Sequence, residues 1–327
     1  MGRRANSRLV SALTMAAVLA VSMVPAAQAT PSTAGDAQLV AVEGNTLAHT
    51  IRYANGNWQR FGHLDAAPVG EPTSVIIKGE EHLFFHTSTT LRHYIRHVDG
   101  TWDLAGSVPT VTANELDTMA AAGLNGRIAL IRKHGDGALL SIQQGDGTWS
   151  TWESVPLGLQ PVWSESLTAD GGTLRVAGVT ADGKNLAMVS RSPEGVWSSP
   201  TYRTLGVLGN SLIITAAGIA QIGTDLHVMV SYSFNGTRLW HLILHADGTW
   251  SDIGEVESND AAGPIPNLMD FAVAAAPGGS LQVAVATTSG LFHTVRHADG
   301  TWQRFGDVAG AAGPVNTTRI TLSADNG

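Results

Sequence analysis

Four histidines, four arginines and six tryptophans recur at fixed offsets along this 327-residue chain, and any chemistry would have to be built from them. His49, His93, His241 and His293 occupy one register, and three of them are followed four residues later by His97, His245 and His297. On a helix that spacing would serve one metal ion. In an extended segment, at about 3.3 Å per residue, the two rings stand about 13 Å apart, whereas zinc ligands must each lie about 2 Å from the ion. No metal site is assigned. The remaining two repeats carry Leu140 and Met188 in the same register, which marks a half-buried packing position.

Arg52, Arg96, Arg191 and Arg296 recur on the opposite face of the same segments. A guanidinium offers a planar donor fork to carboxylates, sugar hydroxyls or backbone carbonyls. Two readings stand: a hydrogen bond or ion pair between neighbouring repeats, or a contact to a bound sugar. The repeated tryptophans Trp58, Trp102, Trp149, Trp197, Trp250 and Trp302 divide in the same way. They pack over a hairpin or, where partly exposed, stack on a pyranose ring. Trp152, Trp163 and Trp240 break the repeat, so the shared fold does not require them, and they join the arginines as candidate ligand-binding residues.

No catalytic constellation is present. The chain has no H-E-x-x-H, no G-x-S-x-G and no phosphate loop. A glycosidase would need paired carboxylates, or an arginine triad with a tyrosine and an acid; the tyrosines are only Tyr53, Tyr94, Tyr202 and Tyr232. Asp117 and Asp270 each precede or begin a first strand, with Glu115 close by, and they face either a central channel or water. Asn235-Gly236-Thr237 matches a glycosylation sequon but reads as a hairpin turn. No catalytic residue and no cofactor is assigned.

The elements that position these residues follow from the repeat. LAHTIRYANGNWQRFGHL from Leu47 returns as LRHYIRHVDGTWDLAGSV from Leu91 and, almost unchanged, as LFHTVRHADGTWQRFGDV from Leu291. Weaker copies begin at Ala138, Leu186 and Leu239, and the tryptophans are spaced 44, 47, 48, 53 and 52 residues apart. Such periods belong to propeller blades. The last unit shows the grammar: strands over Phe271–Ala275, Ser280–Thr287, Leu291–His297 and Trp302–Val308, then a Gly/Pro-rich connection over Ala309–Pro314. Asp299-Gly300 between the third and fourth strands reads as a two-residue turn with both residues at positive φ. No 3.6-residue period appears. The first unit lacks a first strand, and Thr317–Ala324 reads as a first strand with nothing after it. Together they make one blade. The predicted fold is all-β: a six-bladed propeller of four-stranded antiparallel blades over residues 30–327, closed by pairing of the C-terminal strand with the N-terminal blade. Blade 1 is shared between residues 30–65 and 315–327.

Composition narrows the setting. Hydrophobic residues are 43% and charged residues 14%, enough for a large core. The net charge is −8, and Arg3, Arg4 and Arg8 lie in a leader without acids, so the remainder is more acidic still. Such a chain has no general attraction to nucleic acid or anionic lipid. Residues 1–29 read as a signal peptide, with an apolar Leu9–Val24 core and an Ala27-Gln28-Ala29 cleavage site. Secretion after cleavage near Ala29 is the expectation, with no membrane span. There is no cysteine, so stability must come from packing. The Ala/Gly-rich composition looks bacterial.

The Asp-Gly-Thr-Trp hairpins at Asp99–Trp102, Asp146–Trp149, Asp247–Trp250 and Asp299–Trp302 are similar to the Asp-box turn of sialidase-type propellers, with one residue fewer between Asp and Gly. The whole repeat pattern resembles the secreted bacterial and fungal propeller lectins, including the fucose-binding six-bladed ones. That resemblance implies a sugar-binding propeller with sites between adjacent blades, each pairing a Trp or Tyr platform with an Arg and an acid. The leading expectation is a secreted, non-catalytic propeller that binds a glycan. The alternatives are an extracellular protein-interaction or structural propeller, and a glycan-cleaving enzyme on the same ring. Fold alone does not choose among them.

Overall fold

In the computed structural model, residues 35–109, 118–158, 162–205, 213–233 and 237–325 are described, with backbone only at 162 and 163. The proposed leader, Glu115, Asp117 and most of the Asn235 turn lie outside them.

The hairpin between third and fourth strands is built the same way in four blades. Oδ1 of Asp99, Asp146, Asp247 and Asp299 accepts bonds from both the backbone N–H and the hydroxyl of the threonine two residues on, at 2.6–2.9 Å. The expected two-residue turn is corrected here. Gly100 N–H bonds to the His97 carbonyl at 2.8 Å, and His97 N–H to the Thr101 carbonyl at 2.9 Å. Among the described residues only the glycine of each Asp-Gly pair is left-handed, as at Gly300 with φ 89°. This is a four-residue turn whose last residue is a left-handed glycine, because the aspartate uses its side chain to hold the threonine rather than taking positive φ itself.

Six four-stranded antiparallel sheets result. Blades 2 to 6 run from the axis outward in chain order, with inner strands Val69–Ile77, Met119–Leu124, Val162–Asp170, Ile213–Ile222 and Leu268–Ala276. Blade 1 takes its inner strand from the far end of the chain: Ile320–Ala324 pairs antiparallel with Ala37–Glu43, with Leu322 opposite Leu39. The ring is closed, and no inner edge is left open.

The fourth strand of blade 6 is shorter than the expected Trp302–Val308, although that of blade 2 runs over Trp102–Val108. In blade 6 only Gly306–Asp307 is strand, while Trp302 makes a single bridge to Arg296. Between them Thr294 Oγ1 donates to the Gln303 carbonyl at 2.5 Å, as Thr50 does to Gln59 and Ser141 to Ser150. A side-chain hydroxyl takes the place of a ladder bond and bulges the strand. The expected connection after it contains a five-residue helix, Val308–Ala312, capped by Asp307 accepting from Gly310 N–H.

Among the described residues there are six apolar clusters, each shared by two neighbouring blades; one joins Ala37, Leu39 and Leu322 of blade 1 to Ala284 and Leu291 of blade 6. At the axis, small residues let inner strands approach. Thr73 Oγ1 accepts from Ala121 N–H, Thr321 Oγ1 from Ser74 N–H, and Ser166 Oγ from Ile219 N–H, at 3.0–3.1 Å. These bonds tie one blade's inner strand to the next.

Candidate functional site: the blade junctions

In each blade the third-strand residue of the arginine register lies directly across the hairpin from the repeated tryptophan: Arg52 opposite Trp58, Arg96 opposite Trp102, Arg191 opposite Trp197, Arg296 opposite Trp302. Residues paired this way project from the same face. Gln143 and Leu244 replace the arginine opposite Trp149 and Trp250. That face looks at the preceding blade. Trp102 meets the His49 ring edge-on at 5.4 Å, Trp58 meets His293 at 5.3 Å, Trp302 meets His241 at 5.6 Å, and Trp149 meets His93 at 6.3 Å. Where the register is Leu140 or Met188, Trp197 and Trp250 of the next blade pack in the same apolar clusters as those residues. The histidine register is thus the wall against which the next blade's tryptophan rests.

These histidines are buried, 2–8% exposed. Burial, reinforced by a neighbouring histidine, holds His93 and His241 down to about 3, so both are neutral near pH 7. His293 is pushed well below its ordinary value by burial and by the positive charge of Arg52. By contrast the turn residue His97 is only half-buried, bonded to Glu80 at 2.6 Å and Asp103 at 3.2 Å, and its pKa is raised by those bonds.

Opposite each histidine, the fourth strand carries glycine: Gly62, Gly106, Gly254 and Gly306. A Cβ at the first three would meet nothing within 4 Å. Opposite Leu140 the residue is Glu153. Its carboxylate reaches across the junction to Arg191 Nε at 3.0 Å. Arg191, Trp197 and Glu153 thus converge between blades 3 and 4. The motifs did not reveal Glu153; the available signal was its departure from glycine at that register.

Of the other arginines, Arg52 is half-buried and places Nη2 3.5 Å from Gln303 Oε1 of blade 6. Arg296 is half-buried and close enough to lower the pKa of His227 and His241. Arg96 is only 1% exposed and lies opposite Glu81. Trp152 packs against the blade 2–3 cluster, donates Nε1–H to the Pro109 carbonyl, and lies 5.2 Å from the buried Arg132 guanidinium. Trp240 packs in the blade 4–5 cluster, edge-on to Tyr232 at 6.3 Å. The Trp163 side chain lies outside the described residues.

The central channel opens into a cavity of about 500 Å³ lined by Glu71, Glu165, Asp270 and several hydroxyls. Asp270 accepts from Phe271 N–H and from Ile320 N–H, each at 2.8 Å. Burial first, then the charge of Glu71, raises its pKa to about 8.

No protein-family model matches the chain, and no curated protein matches it. Solved structures do. The six-bladed fungal lectin from Aleuria aurantia, described with a fucose recognition mode, aligns at TM-score 0.61 and 16% identity over 87% of this chain and 94% of that one. The BP39L lectin from Burkholderia pseudomallei aligns at 0.56 and 14% over 86% and 82%. AofleA from Arthrobotrys oligospora aligns at 0.51 and 10% over 89% and 90%. At these identities the likeness concerns the fold, and on that level the resemblance read in the repeats holds: the chain is a closed six-bladed β-propeller built like those of the fucose-binding lectins.

Proposed function

We propose that the chain is a secreted, non-catalytic carbohydrate-binding propeller whose grooves are the blade junctions, exported by cleavage near Ala29. One observation carries this reading. Across the blade 3–4 junction a donor fork, an indole and an acceptor carboxylate converge in Arg191, Trp197 and Glu153, with Arg191 and Glu153 3.0 Å apart. A pyranose needs these three groups: donors and acceptors for its hydroxyls and an aromatic surface for its C–H face. The Arg–Trp half of the set recurs with half-buried arginines at Arg52 and Arg296, whereas Arg96 is buried. Repetition around the ring suits multivalent surfaces, where several weak sites add avidity. The Aleuria aurantia lectin, of the same fold, is described in complex with methyl α-L-fucoside, which makes that sugar the first probe.

The hydrolytic reading has the channel carboxylates in its favour. Both oxygens of Asp270, however, are held by backbone N–H groups, which makes that residue a strut between blades.

The test is a glycan array probed with labelled residues 30–327. Saturable binding, competed by free monosaccharide and weakened in Arg191→Ala, supports the proposal. Absence of binding to every glycan at high protein concentration refutes it and leaves a protein partner as the reading to pursue.

A further inference from the structure

Three blades carry a histidine at the start of the turn between third and fourth strands: His97, His245 and His297. Among the described residues two acids reach it only in blade 2. His97 Nδ1 lies 2.6 Å from Glu80 Oε1 at the start of the second strand, and Nε2 lies 3.2 Å from Asp103 Oδ2 on the fourth. In blade 5 His245 meets Asp225 at 3.0 Å, and Ser251 stands where Asp103 does. In blade 6 both positions are uncharged, Ser280 and Gln303.

The fourth strands divide in the same way. In blade 2 it runs over Trp102–Val108, with one bulge, and places Trp102 opposite Arg96 and Asp103 opposite Ile95. In blades 5 and 6 only Gly254–Glu255 and Gly306–Asp307 are strand, and Trp250 and Trp302 make isolated bridges.

We infer that His97 is a pH-sensitive clasp on the outer edge of blade 2. Charged, the ring donates to Glu80 and Asp103 at once and holds the Trp102 end of the fourth strand against the third. Neutral, it has one N–H and donates to only one of them. Glu80, the nearer acid, keeps that bond; the bare Nε2 then faces the Asp103 carboxylate, lone pair against lone pair, and the strand end frays. Trp102, at that end, is the ring that rests edge-on against His49 at 5.4 Å. The clasp therefore links pH to the wall between blades 1 and 2.

The groups around the ring set the sign. The bond to Glu80 and then that to Asp103 raise the His97 pKa above its ordinary 6.5. The other charges within reach are Asp99 in the turn, whose pKa His97 helps to lower, and His82, whose protonation it opposes. Arg96, next in the chain, lies opposite Glu81. With a raised folded value, the contribution of the clasp is fully present below 6.5 and is lost as pH rises through that folded value. The His97, Glu80 and Asp103 side chains are 31%, 36% and 75% exposed, so the effect is local and weakened by salt.

The test follows amide hydrogen exchange by mass spectrometry in residues 30–327 at pH 5.5 and pH 8.5, with rates corrected for intrinsic base-catalysed exchange. Peptides over Trp102–Val108 are expected to lose about threefold in protection at the higher pH, the scale of an exposed ion pair. Peptides over Thr201–Thr204, the fourth strand of blade 4, whose turn begins with Ser192 instead of histidine, are expected to stay unchanged. His97→Gln keeps a donor that does not titrate; it is expected to fold, because the site is at the surface, and to abolish the pH dependence. NMR titration of the wild-type ring is an independent arm: its midpoint is expected above 6.5 and is expected to fall in Asp103→Asn. Equal protection at both pH values, a dependence that persists in His97→Gln, or a midpoint at or below 6.5 overturns the inference.

Discussion

The Asp270 carboxylate of blade 6 accepts the backbone N–H of Ile320 at 2.8 Å, and Ile320 opens the strand that closes blade 1. The bond joins two points 50 residues apart at the seam of the ring. It resembles the hydroxyl-to-backbone ties at the other inner strands, but here the acceptor can titrate.

Its titration predicts how stability responds to pH. Burial and Glu71 raise the Asp270 pKa from an ordinary 3.8 to about 8. The folded state therefore favours the neutral acid. This contribution is fully present below the ordinary value and is lost as pH rises through about 8. Asp270→Asn removes the ionisation and keeps one acceptor oxygen. Between pH 5 and pH 8 the wild-type melting temperature is expected to fall relative to that of the variant; parallel melting curves would remove Asp270 from this role.

The buried histidines act in the opposite sense. Their depressed values, about 3 for His93 and His241 and about 4 for His227, mean that the folded state favours neutral rings. That stability is present above the ordinary 6.5 and is lost as pH falls toward those values. The variant His241→Leu/His227→Ala is expected to melt with less loss than wild type on going from pH 7 to pH 4, as read by calorimetry. An unchanged acid loss would place the acid-sensitive groups elsewhere.

Trp302 is expected to behave as a packing residue whether or not a ligand uses it. It rests edge-on against His241 and packs in the blade 5–6 cluster. Trp302→Ala should destabilise by about 3 kcal/mol, the low end for a large aromatic because the ring is only half-buried. Denaturant titration measures it, and a loss below about 1 kcal/mol would show that the ring is not part of the core.

Glu153 separates stability from binding. The Glu153 side chain is 45% exposed and that of Arg191 20%. Glu153→Ala should therefore change stability by no more than about 1 kcal/mol, as for other exposed pairs, while sugar binding at the blade 3–4 junction is lost. Calorimetric titration of the variant reads both; full binding would remove the carboxylate from the groove.

The repeat made the large features legible. Counting tryptophans from Trp58 to Trp302 places the blades, and the unmatched strand over Thr317–Ala324 announces the closure seen between Leu322 and Leu39. Alternation between histidine, Leu140 and Met188 marked a packing register, and the edge-on tryptophans bear that out. The shapes inside a repeat were less legible. The Asp299-Gly300 turn was misread because the aspartate side chain, not its backbone, does the turning. The Val308–Ala312 helix is too short to show a period and is signalled only by Asp307 before it and Gly313 after it.

By itself, then, the amino-acid sequence determined architecture: strand order, blade number and the two faces of each third strand are periodic, local properties that repetition amplifies. The tertiary structure decided the grooves. A junction joins residues from different blades, so the meeting of Glu153 with Arg191 depends on how neighbouring sheets pack.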